Sequence, residues 1–505
     1  MKNLKRISTL ALSCFVVSGL VSSCTDLIVE EKDSLVVEGS GGGFIAGDAE
    51  ALLEGIYNGL SSYTDQASTY SLNQHPSAEM IPPTRGVDWG DNGVWRTLHG
   101  HTWDATHAQV LNAWNELNGR SYTCEQILAS NPTPGQAAEA RALRSFFMAQ
   151  IMDLYGQVPR RTVDQGVDDL PNVMSRSEAF DFIVSNLEEA LPVLQPGAPA
   201  AINSTMTQAS VHTLLARLYL NKAVYTSANP AGPYTFDNAD MAKVIAHADE
   251  VTAAGFGLDS DFFKPFTDQE SSERIFTTEA NGVPRNRWMM TMHYDQGGFD
   301  AERDGPWNGF TTLADFYDTF EDNDLRRFED VGSNEGYGGL NKGFLIGQQY
   351  REDGTEIVDS RSLKPLQFSR DVPLAGAATE KGIRVIKYHP ADKGVYMLLR
   401  YSDVYLMKAE ALMRSGDNGA ALTMINDLRT MRNASALSSL TEDAMFAERG
   451  RELYWEAIAR TDEIRFGKFN RNYQDVTNTE AYTVLYPIPS IAIASNTNLT
   501  QNEGY

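Results

Sequence analysis

Apolar residues recur at helical spacing through most of this chain. In DAEALLEGIYNGL, Leu52, Leu53, Ile56, Tyr57 and Leu60 fall on one face, and Asp48 stands where a cap belongs. In GQAAEARALRSFFMAQIMDLYG, Ala140, Leu143, Phe147, Ile151 and Leu154 keep the same register, and Gly156 marks the stop. The stretches THAQVLNAWNELNGRSYTCEQIL, SRSEAFDFIVSNLEEALPVL, TMTQASVHTLLARLYLNKAVY and NADMAKVIAHADEVTAAG continue the pattern. It returns in YMLLRYSDVYLMKAEALMRSG, DNGAALTMINDLRTMRN and TEDAMFAERGRELYWEAIARTDEIRFGKF. Small residues such as Ala409 and Ala411 lead into DNGAALTMINDLR, a helix–turn–helix of tetratricopeptide character. The expected fold is mainly α, with degenerate tetratricopeptide-like helix pairs in a right-handed scaffold.

Between about 256 and 393 the periodicity fades, and Gly, Pro, Asn, Asp and aromatic residues rise. This predicts a loop-rich central insertion with a few short strands, the clearest alternations being RIFTTEA and IRVIKYH. The helical repeats are expected over about 48–255 and 394–470.

The first apolar run, Ile7 to Val21, follows a basic start and is short for a membrane span. It closes on Val21, Ser22, Ser23 and Cys24, an aliphatic–small–small–cysteine pattern that fits a bacterial lipobox. The expected layout is therefore a lipoprotein signal peptide over 1–23, lipid on the Cys24 thiol, and a glycine-rich tether over 24–47 before the body at 48–505. Of the other cysteines, Cys14 lies inside the signal and Cys124 inside a helical pattern, where a buried structural thiol is expected. Neither a disulfide framework nor a metal-ligand spacing is present.

The formal net charge is −25. Losing Lys2, Lys5 and Arg6 with the signal leaves about −28, which repels phosphate backbones and argues against nucleic acid as a partner. No phosphate loop, zinc-protease motif or Gly-x-Ser-x-Gly elbow occurs. His99, His101 and His107 cluster without cysteine or acid and read as loop and cap residues. Asp259, Asp261, Asp268 and Glu270 lack the spacing of a calcium loop and read as a solvated stretch. No cofactor and no metal is expected. Glu448, Arg451 and Glu452, and Asp462 with Arg465, read as helix-surface and helix-packing ion pairs rather than catalytic carboxylates.

Three blocks carry a resemblance. AEARALRSFFMAQIMDLYGQVPR (138–160), LLRYSDVYLMKAEAL (398–412), and ERGRELYWEAIARTDEIRFGKF (448–469) with LYPIPSIAIASNTNLTQNEGY (485–505) are similar to the SusD/RagB family of Bacteroidetes outer-membrane nutrient-binding lipoproteins. SSERIF (271–276) echoes a family strand. The chain has Asn496, Thr497, Asn498 and Leu499 where the family often has Asn-Pro-x-Leu. Asp26, Glu30, Glu31 and Asp33 loosely resemble the acidic export mark of such surface lipoproteins. The resemblance implies a surface-exposed, lipid-anchored outer-membrane protein that captures an oligosaccharide or polysaccharide. It also implies delivery to a SusC-like TonB-dependent transporter, with no enzymatic step.

In that family glycan contacts come from loops of the first third and the central insertion. Trp89, Trp288 and Trp307 fall there in Gly- and Pro-rich surroundings, with Asp88, Asn92, Arg287 and Asn308 as polar flankers. Flat indoles stack on pyranose C–H faces while the flankers bond hydroxyls. Tyr294 and Tyr317 are reserves, and Trp114 and Trp455 are expected in the core on helical stripes. Alternatives are a peptide-binding RagB-like receptor, a surface glycoside hydrolase using Asp88 or Asp91, and a helical scaffold without ligand.

Overall fold

The computed structural model describes residues 36–38, 44–86, 88–166, 168–280, 283–297 and 305–505. Cys24, its acidic neighbours and most of the glycine-rich tether lie outside these residues.

The helical periodicity becomes a run of paired helices. In the first half they are α1 (Ala49–Gly59), α2 (Ser68–Gln74), α3 (Val94–His99), α4 (Ala108–Ala129), α5 (Pro134–Tyr155), α6 (Arg176–Ala190), α7 (Gln208–Tyr225) and α8 (Asn238–Ala253). Two short helices, α9 (Arg285–Met289) and α10 (Ala314–Tyr317), punctuate the loop-rich middle. The last third adds α11 (Tyr401–Arg414), α12 (Asn418–Met431), α13 (Glu442–Leu453), α14 (Ala459–Arg465) and α15 (Ser490–Ser495).

Local chemistry sets the helix ends. The Asp48 carboxylate accepts the Glu50 N–H. Thr133 with Gln136, and Ser175 with Glu178, form reciprocal capping boxes that satisfy otherwise orphaned N–H groups of α5 and α6. Gly156 ends α5 at φ 73, a left-handed turn that a side chain would resist. Consecutive helices pack in order, α4 on α5, α5 on α6, α6 on α7 and α7 on α8, and α8 then meets α11 and α11 meets α12. The seams are apolar: Leu117, Leu143, Phe147, Ile151, Leu215, Leu220 and Val244 are fully buried. Each such side chain contributes about 1.5–3 kcal/mol on burial. Ala140, Ala142 and Ala216, also fully buried, let the helix axes approach. Cys124 sits in the same core as a free thiol, and burial pushes its pKa up.

Strands are few and short. Arg274–Thr277 pairs antiparallel with Met397–Arg400 through an irregular register. Lys342–Leu345 lies between Phe328–Glu329 and Arg384–Ile386, with Phe344 opposite Val385. Both alternations singled out in the sequence, RIFTTEA and IRVIKYH, contribute one of these strands. They close over a second core of aromatic residues, among them Phe262, Phe266, Phe344, Tyr388 and Tyr454.

Glu448, Arg451 and Glu452 of α13 and Asp462 and Arg465 of α14 are not on a surface. Glu448 and Glu452 are 0% exposed. Arg326 donates to both of them and to Asp324. Arg400 joins Glu273, Glu452 and Glu456. Arg432 adds a bond to Glu452, and Arg429 and Arg451 add bonds to Glu448. Beside this cluster Arg449 bridges Asp403 and Asp462, and Arg465 bridges Glu410 and Asp462. Arg326 and Arg400 arrive from segments remote in sequence, so helix spacing alone could not place these acids indoors. Asp259 is likewise not solvated: it is 7% exposed and accepts the Ser271 and Ser272 hydroxyls.

Candidate functional site

A tight turn aims the first tryptophan. Arg85 and Asp88 exchange two backbone hydrogen bonds of 3.0 and 3.1 Å. Four residues then follow with positive φ: Trp89 at 61°, Asp91 at 35°, Asn92 at 54° and Gly93 at 85°. Non-glycine residues held there store strain, and such strain gathers at ligand sites. The turn is clamped by Arg85, buried and bonded only to backbone carbonyls, those of Gly309, Ala378, Thr379 and Lys381. Burial lowers the Arg85 pKa to about 10.

The indole of Trp89 is fixed from behind. Its Nε1–H donates to the Trp307 carbonyl at 2.8 Å, and its ring lies 4.5 Å from that of Phe310, centre to centre. Gly309 is needed at this contact, because a Cβ there would stand 2.4 Å from the Trp89 ring. Trp307 stands 6.1 Å from Trp89 at an interplanar angle of 55°. The Arg285 guanidinium lies 5.8 Å from the Trp307 ring centre. Asp91 accepts the Trp95 Nε1–H at 2.6 Å, which ties this loop to the buried face of α3.

These residues open a groove of about 380 Å³ lined by Gln66, Asp88, Trp89, Asp91, Tyr294, Pro306 and Trp307. Tyr294 closes one end. Its hydroxyl donates to the Asp88 carboxylate, and burial with that bond pushes its pKa up to about 12. Arg361 donates to Asp88 at 3.1 Å and covers the Tyr294 ring at 3.9 Å. The groove thus offers two half-buried indoles and a phenol ring, edged by carboxylates, an amide and a guanidinium. That set stacks apolar faces and bonds hydroxyls.

The sequence-derived candidates divide. Asp88, Trp89 and Trp307 line the groove, and the reserve Tyr294 joins them. Asn92 is exposed beside it, outside the lining. Trp288, Arg287 and Asn308 are corrected to supporting positions. Trp288, on α9, is 6% exposed and packs in the aromatic core. Arg287 is 4% exposed; it donates to the carbonyls of Tyr63 and Asp65, and its guanidinium lies 3.3 Å from the Tyr70 ring centre. Asn308 is 0% exposed, donating to the Thr379 carbonyl and accepting from Arg384. Tyr317 is buried under Arg327. Trp455 is in the core as expected, yet on a turn at φ 59 rather than on a helical stripe. Gln66, Pro306 and Arg361 were missed. Pro306 adjoins Trp307, Gln66 and Arg361 stand beside no motif, and only chain reversal brings Arg361 to Asp88.

The histidines near position 100 do not converge on one point. His99 bonds the carbonyls of Met80 and Gln474, His101 that of Pro76, and His107 caps α4 by accepting the Gln109 N–H. Among the described residues one trio, His293, Asp295 and Asp359, brings potential ligand atoms within 4.8 Å of one another. Its carboxylates are engaged otherwise. Asp359 accepts the Arg361 N–H and the hydroxyls of Ser362 and Thr379, and Asp295 accepts the Ser360 N–H. These bonds hold the turn that carries Arg361.

Residues 314–505 match the model of the SusD family. Over its full length the chain is similar to the starch-binding protein SusD of Bacteroides thetaiotaomicron, at 23% identity, covering 100% of this chain and 99% of that one. Among solved structures, a SusD superfamily protein of Parabacteroides distasonis superposes with a TM-score of 0.67 at 17% identity, covering 90% of this chain and 98% of that one. Surface glycan-binding protein A of B. thetaiotaomicron, solved in complex with laminarihexaose, gives 0.62 at 16% identity, covering 90% and 98%. Among the described residues no helix is long and apolar enough to cross a membrane. The family match over residues 314–505, the relative aligned end to end and the shared helical scaffold agree: this chain is similar to SusD proteins along its whole length and carries the SusD family match in its C-terminal part.

Proposed function

We propose that the protein is a cell-surface glycan-binding protein that captures an oligosaccharide on the Trp89–Trp307 platform and passes it to a SusC-like TonB-dependent outer-membrane transporter. The observation that carries this reading is the platform itself. The Trp89 N–H is spent on the Trp307 carbonyl, so the indole is pre-set, with Asp88, Asp91, Gln66 and Tyr294 around it. A rigid aromatic site loses little entropy on binding, and a shallow one releases its ligand readily to a pore. The starch-binding and laminarihexaose-bound relatives support a glucan as the first ligand to try. The site acts by binding without catalysis.

In this reading Cys24 carries the lipid, residues 24–47 form the tether, and 48–505 form the body, with 256–393 as its loop-rich insertion. The anchor places the protein on the outer membrane, exposed at the cell surface. Electrophoresis through gels containing starch, laminarin and other polysaccharides tests the ligand. Retardation in at least one gel, lost in Trp89→Ala and Trp307→Ala and kept in Trp114→Phe, is expected. No retardation in any gel, together with binding of a peptide library, would replace the glycan by a RagB-like peptide ligand. New reducing ends on incubation would make the protein a hydrolase. Mass measurement of the membrane-extracted N-terminus tests the anchor.

A further inference from the structure

Helices α7 and α8 lie side by side and run in opposite directions, and polar pairs join them rung by rung. Lys222 donates to Asp240 at 2.8 Å, Lys243 donates to the Tyr219 hydroxyl at 3.0 Å, and His212 Nδ1 meets His247 Nδ1 at 2.9 Å. The first two rungs join unlike groups, an ammonium with a carboxylate and an ammonium with a phenol. The third joins like with like. Two neutral imidazoles that face each other through the same ring nitrogen share a single proton between them. Their ring centres are 5.2 Å apart at an interplanar angle of 42°, and both residues are half-buried, so solvent reaches the pair. The Tyr219 ring lies within 10° of parallel to His247 and sets the plane of that imidazole. The pair shares no residue with the tryptophan groove.

Two imidazole nitrogens at that separation suit one ion. Transition ions hold imidazole nitrogen at about 2.0–2.1 Å, so two such ligands at a right angle stand about 2.9 Å apart, and about 3.3 Å apart at the tetrahedral angle. The observed 2.9 Å is the right-angle value, which belongs to neighbouring positions in tetragonal or octahedral coordination. Burial holds both rings below the usual histidine range, His247 at about 4, so both are neutral at pH 7, the form that ligates. In the hydrogen-bonded pair one ring carries its proton on Nδ1 and the other on Nε2. Coordination through both Nδ1 atoms asks only that the first ring take the Nε2 tautomer, with no net loss of a proton. Glu250, exposed and three residues beyond His247 on α8, brings negative charge to bear on His212. Lys243, the cation acting on His247, is held on the Tyr219 hydroxyl.

We propose that His212 and His247 chelate a divalent transition ion of the nickel(II) or copper(II) class through their Nδ1 atoms, with water in its remaining positions, and that the ion clips α7 to α8. The probe is nickel chloride, with magnesium chloride as the hard-ion control. Calorimetry on the whole protein is expected to show a saturable nickel site that magnesium does not fill. His212→Ala and His247→Ala are each expected to weaken it at least tenfold. The double variant should lose no more than either single one, because a chelate goes with its first ligand. Alanine suits a helix and both positions are half-buried, so the variants keep the wild-type helical circular dichroism. A second measurement needs no variant: nickel should raise the urea midpoint of the wild-type protein, a chelator should return it, and magnesium should leave it unmoved. Unchanged nickel affinity in both single variants, losses that add in the double variant, or an equal response to magnesium would overturn the assignment.

Discussion

The two halves of the molecule solve burial in opposite ways. From α4 to α8 the helices meet through Leu, Ile, Phe and Ala, and the seam is held by area removed from water. Around α13 the seam is made of charges: Arg326, Arg400 and Arg432 meet Glu273, Glu448 and Glu452 with almost no solvent contact. Apolar seams are non-directional and tolerate repacking. A buried ionic seam is directional, and each partner removed strands a charge in a poor dielectric. The first arrangement gives a robust scaffold. The second welds that scaffold to the insertion, because Glu273, Asp324 and Arg326 come from the insertion and Arg432, Glu448 and Glu452 from the helices.

The largest expected effect sharpens this contrast. Glu452→Ala removes the acid shared by Arg326, Arg400 and Arg432 and is expected to cost about 3–5 kcal/mol, measured by urea unfolding. Leu→Met at position 143 in the apolar seam should cost less than about 1.5 kcal/mol. Equal losses would break the comparison.

Acid separates the two seams next. The arginines around them hold Glu448 and Glu410 at about 2, and also hold Asp403 and Glu452 below the ordinary carboxylate range. Groups lowered in the fold stabilise it above their unfolded pKa, and that contribution is lost as pH falls from about 4.5 through 2. Burial raises Glu79 to about 7, the opposite sign. Its part of the stability falls as pH rises from about 4.5 to 7, so Glu79→Gln should flatten the stability profile in that window. Denaturant midpoints from pH 3 to 8 check both slopes.

Gly309→Ala is the third test. The added methyl meets the Trp89 ring and should lower glycan affinity at least tenfold, about 1.4 kcal/mol, while the helical circular dichroism stays near wild type. The smallest effect belongs to Arg361→Ala. Its ion pair with Asp88 is half exposed, so a change within about 1 kcal/mol is expected in calorimetry with the glycan.

The uneven burial explains what the sequence made legible. Helices of the apolar seams were readable because their burial has a period, and the caps at Asp48 and Gly156 stand beside them. The two short strands showed as alternations. Trp89 and Trp288 have similar polar flanks in sequence, yet α9 turns one indole into the core and the turn with positive φ at 89 and 91–93 turns the other outward. That choice is made by packing against Phe310 and Gly309, more than 200 positions from Trp89. The charges of α13 obey helix spacing like any solvated face, and only the arrival of Arg326, Arg400 and Arg432 reveals that the face is interior.

That ionic seam also decides whether the chain can be divided. The hydrophobic pattern invites cutting out the loop-rich insertion as a module, or expressing the helices without it. Either fragment would keep half of a charge lattice: Arg326 without Glu448 and Glu452, or those acids without Arg326. Swapping the ligand loops of one such protein onto another therefore succeeds when the graft stops short of Asp324–Arg326 and leaves the lattice whole. The proposed site at the tryptophan loops is free to vary because the lattice lies outside them.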